Sequence, residues 1–225
     1  MKTRVETDYI GSLNVPADAY YGVQSLRAKN NFSITGRMMD PLFIESMVQI
    51  KKAAAITNRD AGYLDAKKAE AILRACDEII GGKLRDQFIV DPIQGGAGTS
   101  ANMNTNEVVA NRAIELLGGT KGDYSVVHPN DDVNRCQSTN DVFPTAGKLT
   151  VLKLLPDLLG ELKRLVSALD GKASEFDDVL KMGRTQLQDA VPVRLGQEFA
   201  AYSSVIRRDI MRVERSADEI RPINL

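Results

Sequence analysis

The stretch Phe143-Pro-Thr-Ala-Gly-Lys-Leu-Thr-Val-Leu-Lys-Leu-Leu-Pro-Asp-Leu-Leu-Gly-Glu-Leu-Lys-Arg-Leu-Val-Ser-Ala-Leu169 decides the fold. Leu149, Leu152, Leu155, Leu159, Leu162, Val166 and Leu169 recur every three or four residues, the period of one face of an α-helix. Pro144 falls where a first turn tolerates it, whereas Pro156 is interior and predicts a kink. A second long pattern follows, which Pro192 is expected to open. In it Phe199, Tyr202, Ile206, Ile210, Val213, Ala217 and Ile220 step in the same way. At about 1.5 Å per residue each helix is roughly 40 Å long. Helices of that length need partners along them. Two in one chain leave an apolar side over, which predicts self-association or packing against further protein.

Upstream the pattern is of shorter helices. Pro41 opens one that carries Ile44, Met47, Val48 and a run of alanines at 53–55, and Gly62 ends it. Asp65 begins another, with Ala69, Ile72, Leu73, Cys76, Ile79 and Ile80 on one face and Gly81-Gly82 as its stop. A third ends at Gly118-Gly119, and the spacing of Asn104 and Glu107 matches a capping box. Residues 1–36 lack a sustained period and carry turn residues, so they read as an irregular arm. The fold class expected is therefore mainly α.

Composition narrows the function classes. With 43% hydrophobic and 26% charged residues and a net charge of −1, the chain has the balance of an ordinary globular protein. Neither a nucleic-acid patch nor a polybasic membrane signal is expected, and no apolar run reaches membrane-spanning length. Met1 leads straight into charged residues, without the pattern of a secretory signal. Cys76 and Cys136 are too few for a disulfide framework or a zinc site, so a reduced, cytoplasmic location is expected. His128 is the only histidine, which argues against a histidine-centred triad and excludes a multi-histidine metal site within one chain.

Three polar blocks interrupt the helices. Gly95-Gly-Ala-Gly-Thr-Ser-Ala-Asn-Met-Asn-Thr-Asn106 and Asn134-Arg-Cys-Gln-Ser-Thr-Asn-Asp141 each run into a helical pattern, and Lys181-Met-Gly-Arg-Thr-Gln-Leu-Gln-Asp-Ala190 lies between the two long ones. Hydroxyls, amides and free backbone N–H groups at helix starts suit an anion. Each block also has an ordinary reading: a glycine turn with a cap, an N-cap, a solvated loop. The first is neither a Walker loop nor a dinucleotide fingerprint. Ser138 to Asp141 place four capping-type residues in a row where one suffices. His128-Pro-Asn-Asp131 reads as a turn or as a small polar pocket.

Taken together, the blocks resemble the aspartase/fumarase superfamily. The resemblance rests on residues 95–107, 128–141 and 181–190, and extends to Asp18-Ala-Tyr-Tyr-Gly-Val-Gln24 and to Arg27 through Phe32 in the arm. Thr139 between Ser138 and Asn140, and Gln186 directly after Thr185, are similar to the aspartase branch. Class II fumarases typically carry Ser and His at those two places. The turn at His128, Asn130 and Asp131 instead resembles the fumarase form, in which it makes a secondary anion site. Ser125 replaces the basic residue that usually accompanies that site, so a structured turn is expected.

The resemblance implies an N-terminal helical domain over residues 1–140, followed over 141–225 by the first long helices of a central helical bundle. It implies elimination of ammonia from L-aspartate to give fumarate through an aci-carboxylate, in a homotetramer whose sites draw on three subunits. Thr99, Ser138 and Thr139 would hold the β-carboxylate, Asn140 the amino group, and Thr185 the α-carboxylate with Gln186 nearby. No cofactor and no metal site are expected, although aspartases respond to divalent cations. The family's base is a serine on a glycine-serine loop, and nothing in residues 1–225 matches it, so the expected reading is the N-terminal portion of such a lyase, inactive alone. The alternatives are a class II fumarase-like hydratase and a non-catalytic helical assembly module.

Overall fold

The computed structural model describes residues 2–224. Its elements are β1 (Thr3–Asp8), β2 (Gly11–Pro16), α1 (Val23–Asn31), α2 (Pro41–Asp60), α3 (Ala66–Ile80), α4 (Thr99–Leu116), α5 (Thr139–Glu175), β3 (Leu180–Thr185), β4 (Gln188–Arg194) and α6 (Leu195–Ile220). A 3-10 turn at Arg85–Gln87 precedes α4, and a π-helical turn at Pro129–Val133 precedes α5. The mainly α expectation holds. The chain forms two compact units, one running to Thr150 and including Ile223 and Asn224, the other Val151–Pro222.

In the first unit α4 is the central element: 12 of its 18 residues are buried, so it is covered on all sides. Ile44, Met47 and Val48 of α2 and Ile72, Cys76 and Ile79 of α3 pack with Val108, Val109 and Ile114 of α4. Asp40 and Asp65 cap α2 and α3, each accepting two backbone N–H groups. Gly62, Gly82 and Gly118 take positive φ just past the helix ends.

The arm is more ordered than its sequence suggests. β1 and β2 form an antiparallel hairpin with Asp8 opposite Gly11, and α1 follows. The residue of β1 that is buried is Glu6, while Val5 is exposed, so the usual apolar-in alternation is inverted and invisible to a hydrophobic pattern. Arg4 organises the arm: it pairs with Glu6 at 2.7 Å and donates to the carbonyls of Pro16, Ala17, Ala19 and Tyr21. Arg27 of α1 grips Asp8 through two hydrogen bonds of 2.9 and 2.8 Å, which hold the Asp8 carboxyl below its usual range.

The capping-box expectation for Asn104 and Glu107 is also corrected. α4 starts at Thr99, so Asn104 is interior, and Glu107 serves a different helix. Its buried carboxylate accepts N–H groups from Gly22, Gln24 and Ser25 at 2.8, 3.0 and 3.1 Å, together with the Ser25 hydroxyl. Glu6 takes the Val23 N–H at 2.9 Å. Two carboxylates thus satisfy the exposed donors of the α1 start, where the helix dipole favours negative charge. The oxygens crowd so closely that a Cβ on Gly22 would lie 2.7 Å from both Glu107 and Glu6.

In the second unit, α5 runs on to Glu175 and Pro156 does not interrupt it. The half-buried face of this part of the helix carries Leu152, Leu155, Leu159, Leu162, Val166 and Leu169, as the sequence pattern placed them. Val151, Leu154, Leu158 and Leu165 form a second apolar row that is exposed. On α6, Ser203, Ile210 and Ala217 are buried, and Ser203 donates to Asp170 of α5 at 2.5 Å. Pro192 does not open α6: it lies in β4 opposite Met182, beside a register shift, where a missing N–H is tolerated. The third polar block, read as a loop, is the hairpin of β3 and β4. Its polar run from Arg184 to Asp189 lacks alternation, and nothing local announces strands. Among the described residues no helix is long and apolar enough to cross a membrane.

Glu107→Gln keeps the side-chain shape but turns an acceptor into a donor facing N–H groups. It is expected to cost about 1–3 kcal/mol, the usual penalty for unsatisfied buried donors. Urea unfolding of the variant and parent chains checks this, and equal stability would show that the carboxylate is dispensable.

Candidate functional site

The glycine block is shaped from both ends. Asp91 is buried and accepts N–H groups from Thr35, Gly36 and Ile93 at 2.7, 2.9 and 2.8 Å and the Thr35 hydroxyl at 2.9 Å. Burial alone would raise its carboxyl, but these donors outweigh it and hold the group below its usual range. Gln94 then donates to the Asp91 carbonyl at 2.8 Å and accepts the Ala101 N–H at 2.7 Å, closing the first turn of α4. Gly96, Ala97 and Gly98 follow one another at φ of 73, 49 and 91°. Gly98 is fixed twice over, because a Cβ there would lie 2.4 Å from the Phe143 ring of α5.

Thr99 opens α4 and is exposed. Its hydroxyl donates to the Gly96 carbonyl at 2.6 Å, so offering that proton to a ligand requires rotating it away from the loop.

In the second block, α5 begins at Thr139, earlier than the leucine pattern suggests. Ser138 Oγ accepts the Asn140 N–H at 3.3 Å, and Asp141 Oδ2 accepts the Ser138 N–H at 2.7 Å. Capping therefore engages two of the four residues. Thr139 Oγ1 accepts from Asn102 Nδ2 at 3.2 Å, and Asn102 also donates to Asn134 Oδ1 at 3.1 Å. A hydroxyl that accepts a hydrogen bond keeps its own proton to donate. Ser138 and Thr139 thus present adjacent O–H donors at the positive end of a long helix. The carbonyl of Asn140 accepts from Asn224 at 2.8 Å.

Behind this turn lies a group that carries no distinguishing signal in the sequence. Lys51 of α2 is fully buried, and its Nζ donates to Asn134 Oδ1 at 2.6 Å and Gln137 Oε1 at 3.1 Å. Burial pushes its pKa down to about 7. In an alanine-rich helix, and next to Lys52, it reads as one more surface lysine. Asn102, Asn134 and Gln137 lay inside the quoted blocks, but no spacing rule assigns their roles.

His128 caps its own turn. Its Nδ1 accepts the N–H groups of Asn130 and Asp131 at 3.2 and 3.1 Å, and Asp132 accepts from the His128 N–H and from Lys68, both at 2.8 Å. The adjoining cavity of about 470 Å³ is lined by Asp8, Glu107 and Asp131 as well as His128, with no Lys or Arg among its lining residues. Such a lining opposes anions.

Thr185 and Gln186 belong to the second unit. Thr185 ends β3, and Gln186 with Leu187 forms the two-residue turn, at φ of 49 and 61°. Both central residues are left-handed, as in a type I′ turn, yet neither is glycine or asparagine. Gln186 is exposed, Leu187 projects fully into solvent, and Arg184 pairs with Asp189 at the base of the turn.

A family model described as Lyase matches residues 11–224. The chain belongs to this lyase family, the aspartase/fumarase superfamily. Among relatives in the lyase family, aspartate ammonia-lyase of Bacillus subtilis (strain 168) is 54% identical over 222 residues, 99% of this chain and 47% of the relative. Aspartate ammonia-lyase of Escherichia coli (strain K12) is 49% identical over 225 residues, again 99% of this chain and 47% of the relative. The chain thus spans about half the length of the curated relatives it matches. Its structure resembles a fumarate lyase:delta crystallin from Brucella melitensis, with a TM-score of 0.93 and 50% identity over 100% of this chain and 53% of that one. It also resembles a class II fumarase from Schistosoma mansoni, at 0.89 and 38% over 97% and 46% of the two chains.

Within the lyase fold, the Phe143 ring against Gly98 joins the first two blocks. Gly98→Ala combines a positive φ with a clash against that ring, and is expected to cost about 2–4 kcal/mol. Thermal unfolding measures it. A variant as stable as the parent would mean that the ring moves aside freely.

Proposed function

We propose that these 225 residues form the carboxylate- and amine-binding part of an aspartate ammonia-lyase. The observation that carries the reading is the pair of adjacent hydroxyls, Ser138 and Thr139, at the start of α5, each accepting a hydrogen bond and so keeping its own proton to donate, with Thr139 tied to α4 through Asn102. Identity to the aspartate ammonia-lyases of 49–54%, against 38% to the class II fumarase, supports the choice of leaving group.

The chemistry explains why neutral donors suit the task. A C3 proton of L-aspartate is weakly acidic, and its removal places a second negative charge on the adjacent β-carboxylate. Preorganised O–H and N–H donors with a helix dipole behind them stabilise that charge most where it develops. Ser138 and Thr139, with Thr99 once its hydroxyl turns from Gly96, hold the β-carboxylate. Asn140 orients the amino group. Thr185 binds the α-carboxylate, with Gln186 beside it. The strained Gln186-Leu187 turn fits this assignment, because strain of that kind tends to be kept where a side chain must be aimed. The C3 proton passes to a base, the C–N bond breaks as the double bond forms, and ammonia and fumarate leave. No cofactor is needed.

The base is the serine of the family's glycine-serine loop, which residues 1–225 do not contain, so this chain alone has the binding groups without the base. The reading extends to a cytoplasmic homotetramer in which residues 141–225 begin the shared helical bundle. The exposed row Val151, Leu154, Leu158 and Leu165 supports the assembly. The self-capped, acid-lined turn at His128, Asn130 and Asp131 supports a structural turn rather than a second anion site.

Activity tests this directly. The 225-residue chain is expected to release no fumarate from L-aspartate by ultraviolet absorbance, and clear turnover would refute the division of labour. Joined to the remaining half of the Bacillus subtilis relative, it is expected to act on L-aspartate and not on L-malate. Thr139→Ala in that chimera should lower kcat/KM by about 10²- to 10³-fold, the effect of losing one charge-stabilising donor. Turnover of malate alone would favour the fumarase reading.

Self-association is the second expectation. Sedimentation should find the chain oligomeric, and Leu154→Glu with Leu158→Glu should shift it toward monomer. A parent chain that is already a monodisperse monomer would exclude assembly through this row.

A further inference from the structure

Lys51 places a buried cation one layer behind the candidate site. Its side chain has no exposed surface, and the atoms its Nζ touches are neutral amide oxygens, Asn134 Oδ1 at 2.6 Å and Gln137 Oε1 at 3.1 Å. A methionine would fill the same space without the cost of burying an ammonium group. The charged and titratable groups facing it are few. Cys76 of α3 is held neutral by burial, which pushes its thiol up to about 12. Asp141, in the first turn of α5, acts on Lys51 through space while its Oδ2 accepts the Ser138 N–H. Its neighbour Lys52 is directed to Asp77 at 2.5 Å.

The two amides that Lys51 holds shape the turn. Asn134 Nδ2 donates to the Gln137 carbonyl at 2.9 Å, and Gln137 Nε2 donates to the carbonyls of Val133 and Arg135 at 3.1 and 3.2 Å. With their oxygens fixed by Lys51, both amides have one orientation in which all these bonds form. The same Asn134 oxygen accepts from Asn102, whose amide also bonds Thr139 Oγ1. Three hydrogen bonds therefore connect the Lys51 ammonium to the hydroxyl at the start of α5.

We propose that Lys51 is a positioning residue: in its ammonium form it orients Asn134, Gln137 and Asn102, and through them sets the turn that presents Ser138 and Thr139. That the turn receives a carboxylate rests on the function proposed above. Loss of the proton leaves two N–H groups, so the contacts survive, but the charge-assisted bonds weaken to ordinary ones. Its buried positive charge also lies behind donors that face an anion.

The turn itself is the readout, with no ligand added. Backbone amide resonances of residues 134–139 in the 225-residue chain are followed from pH 5.5 to 8.5, in the parent and in Lys51→Met. In the parent they should titrate together with a midpoint near 7. In the variant that common titration should vanish. At pH 6 the amides of Ser138 to Val142 should exchange about tenfold faster in the variant, the change expected when hydrogen bonds from a charged donor are lost. A parent turn without a common inflection overturns the proposal, and that measurement needs no variant. So does a variant turn that still titrates like the parent. A chain that bound no carboxylate would sink the functional reading and leave this result standing.

Discussion

The burial of α4 is the constraint on which the first unit depends. A helix covered on all sides is ordinarily apolar. This one carries Asn102, Asn104, Thr105, Asn106, Glu107 and Asn111 among its buried residues. Each such polar group must find a partner or impose a cost. Glu107 finds the start of α1, and Asn111 finds the Tyr20 carbonyl at 2.8 Å and the Gly122 N–H at 2.7 Å. Asn102 finds the turn before α5. Burial pushes the Glu107 carboxyl upward, and the donors gathered from Gly22, Gln24 and Ser25 pull against that. The polar inventory of one helix thus dictates where the arm, the 120s loop and the start of α5 dock.

Much of the helical skeleton was legible because its signals are local. Asp40 with Pro41, Asp65, and glycines just past the helix ends are caps whose chemistry acts within one turn. The leucine period identified the half-buried face of α5 correctly. What escaped was structure held by distant partners. β1 buries Glu6 because Arg4, Val23 and Tyr124 meet it there, and none of these contacts leaves a period in the sequence. The β3–β4 hairpin turns on Gln186 and Leu187, residues that a turn rule would not choose. Pro192, which signals a helix start by its usual preference, instead sits at an irregularity in that hairpin.

The candidate site divides in the same way. That the second block held too many capping residues was visible in the sequence, and Ser138 with Asp141 accounts for only part of the excess. That Thr139 is tied to α4 was not visible, since that depends on Asn102, 37 residues away in the chain. Thr99 shows the reverse. Its position at a helix start is evident from sequence, while the engagement of its proton by Gly96 is a matter of loop geometry.

Under the proposed function, the site must favour a doubly charged intermediate without binding its singly charged precursor too well. Cationic side chains at the surface of such a site would attract the substrate and the intermediate alike, and uniform attraction does not accelerate the chemical step. Hydroxyl and amide donors fixed by a second layer of hydrogen bonds discriminate by geometry instead, because they need no reorientation as charge builds. The positive charge in this part of the fold is kept one layer back, on Lys51, where it orders the amides and adds a broad favourable potential. In the proposed site a directly bonded lysine would hold the substrate carboxylate more tightly at the outset, whereas a buried one would strengthen the donors that meet the charge as it forms.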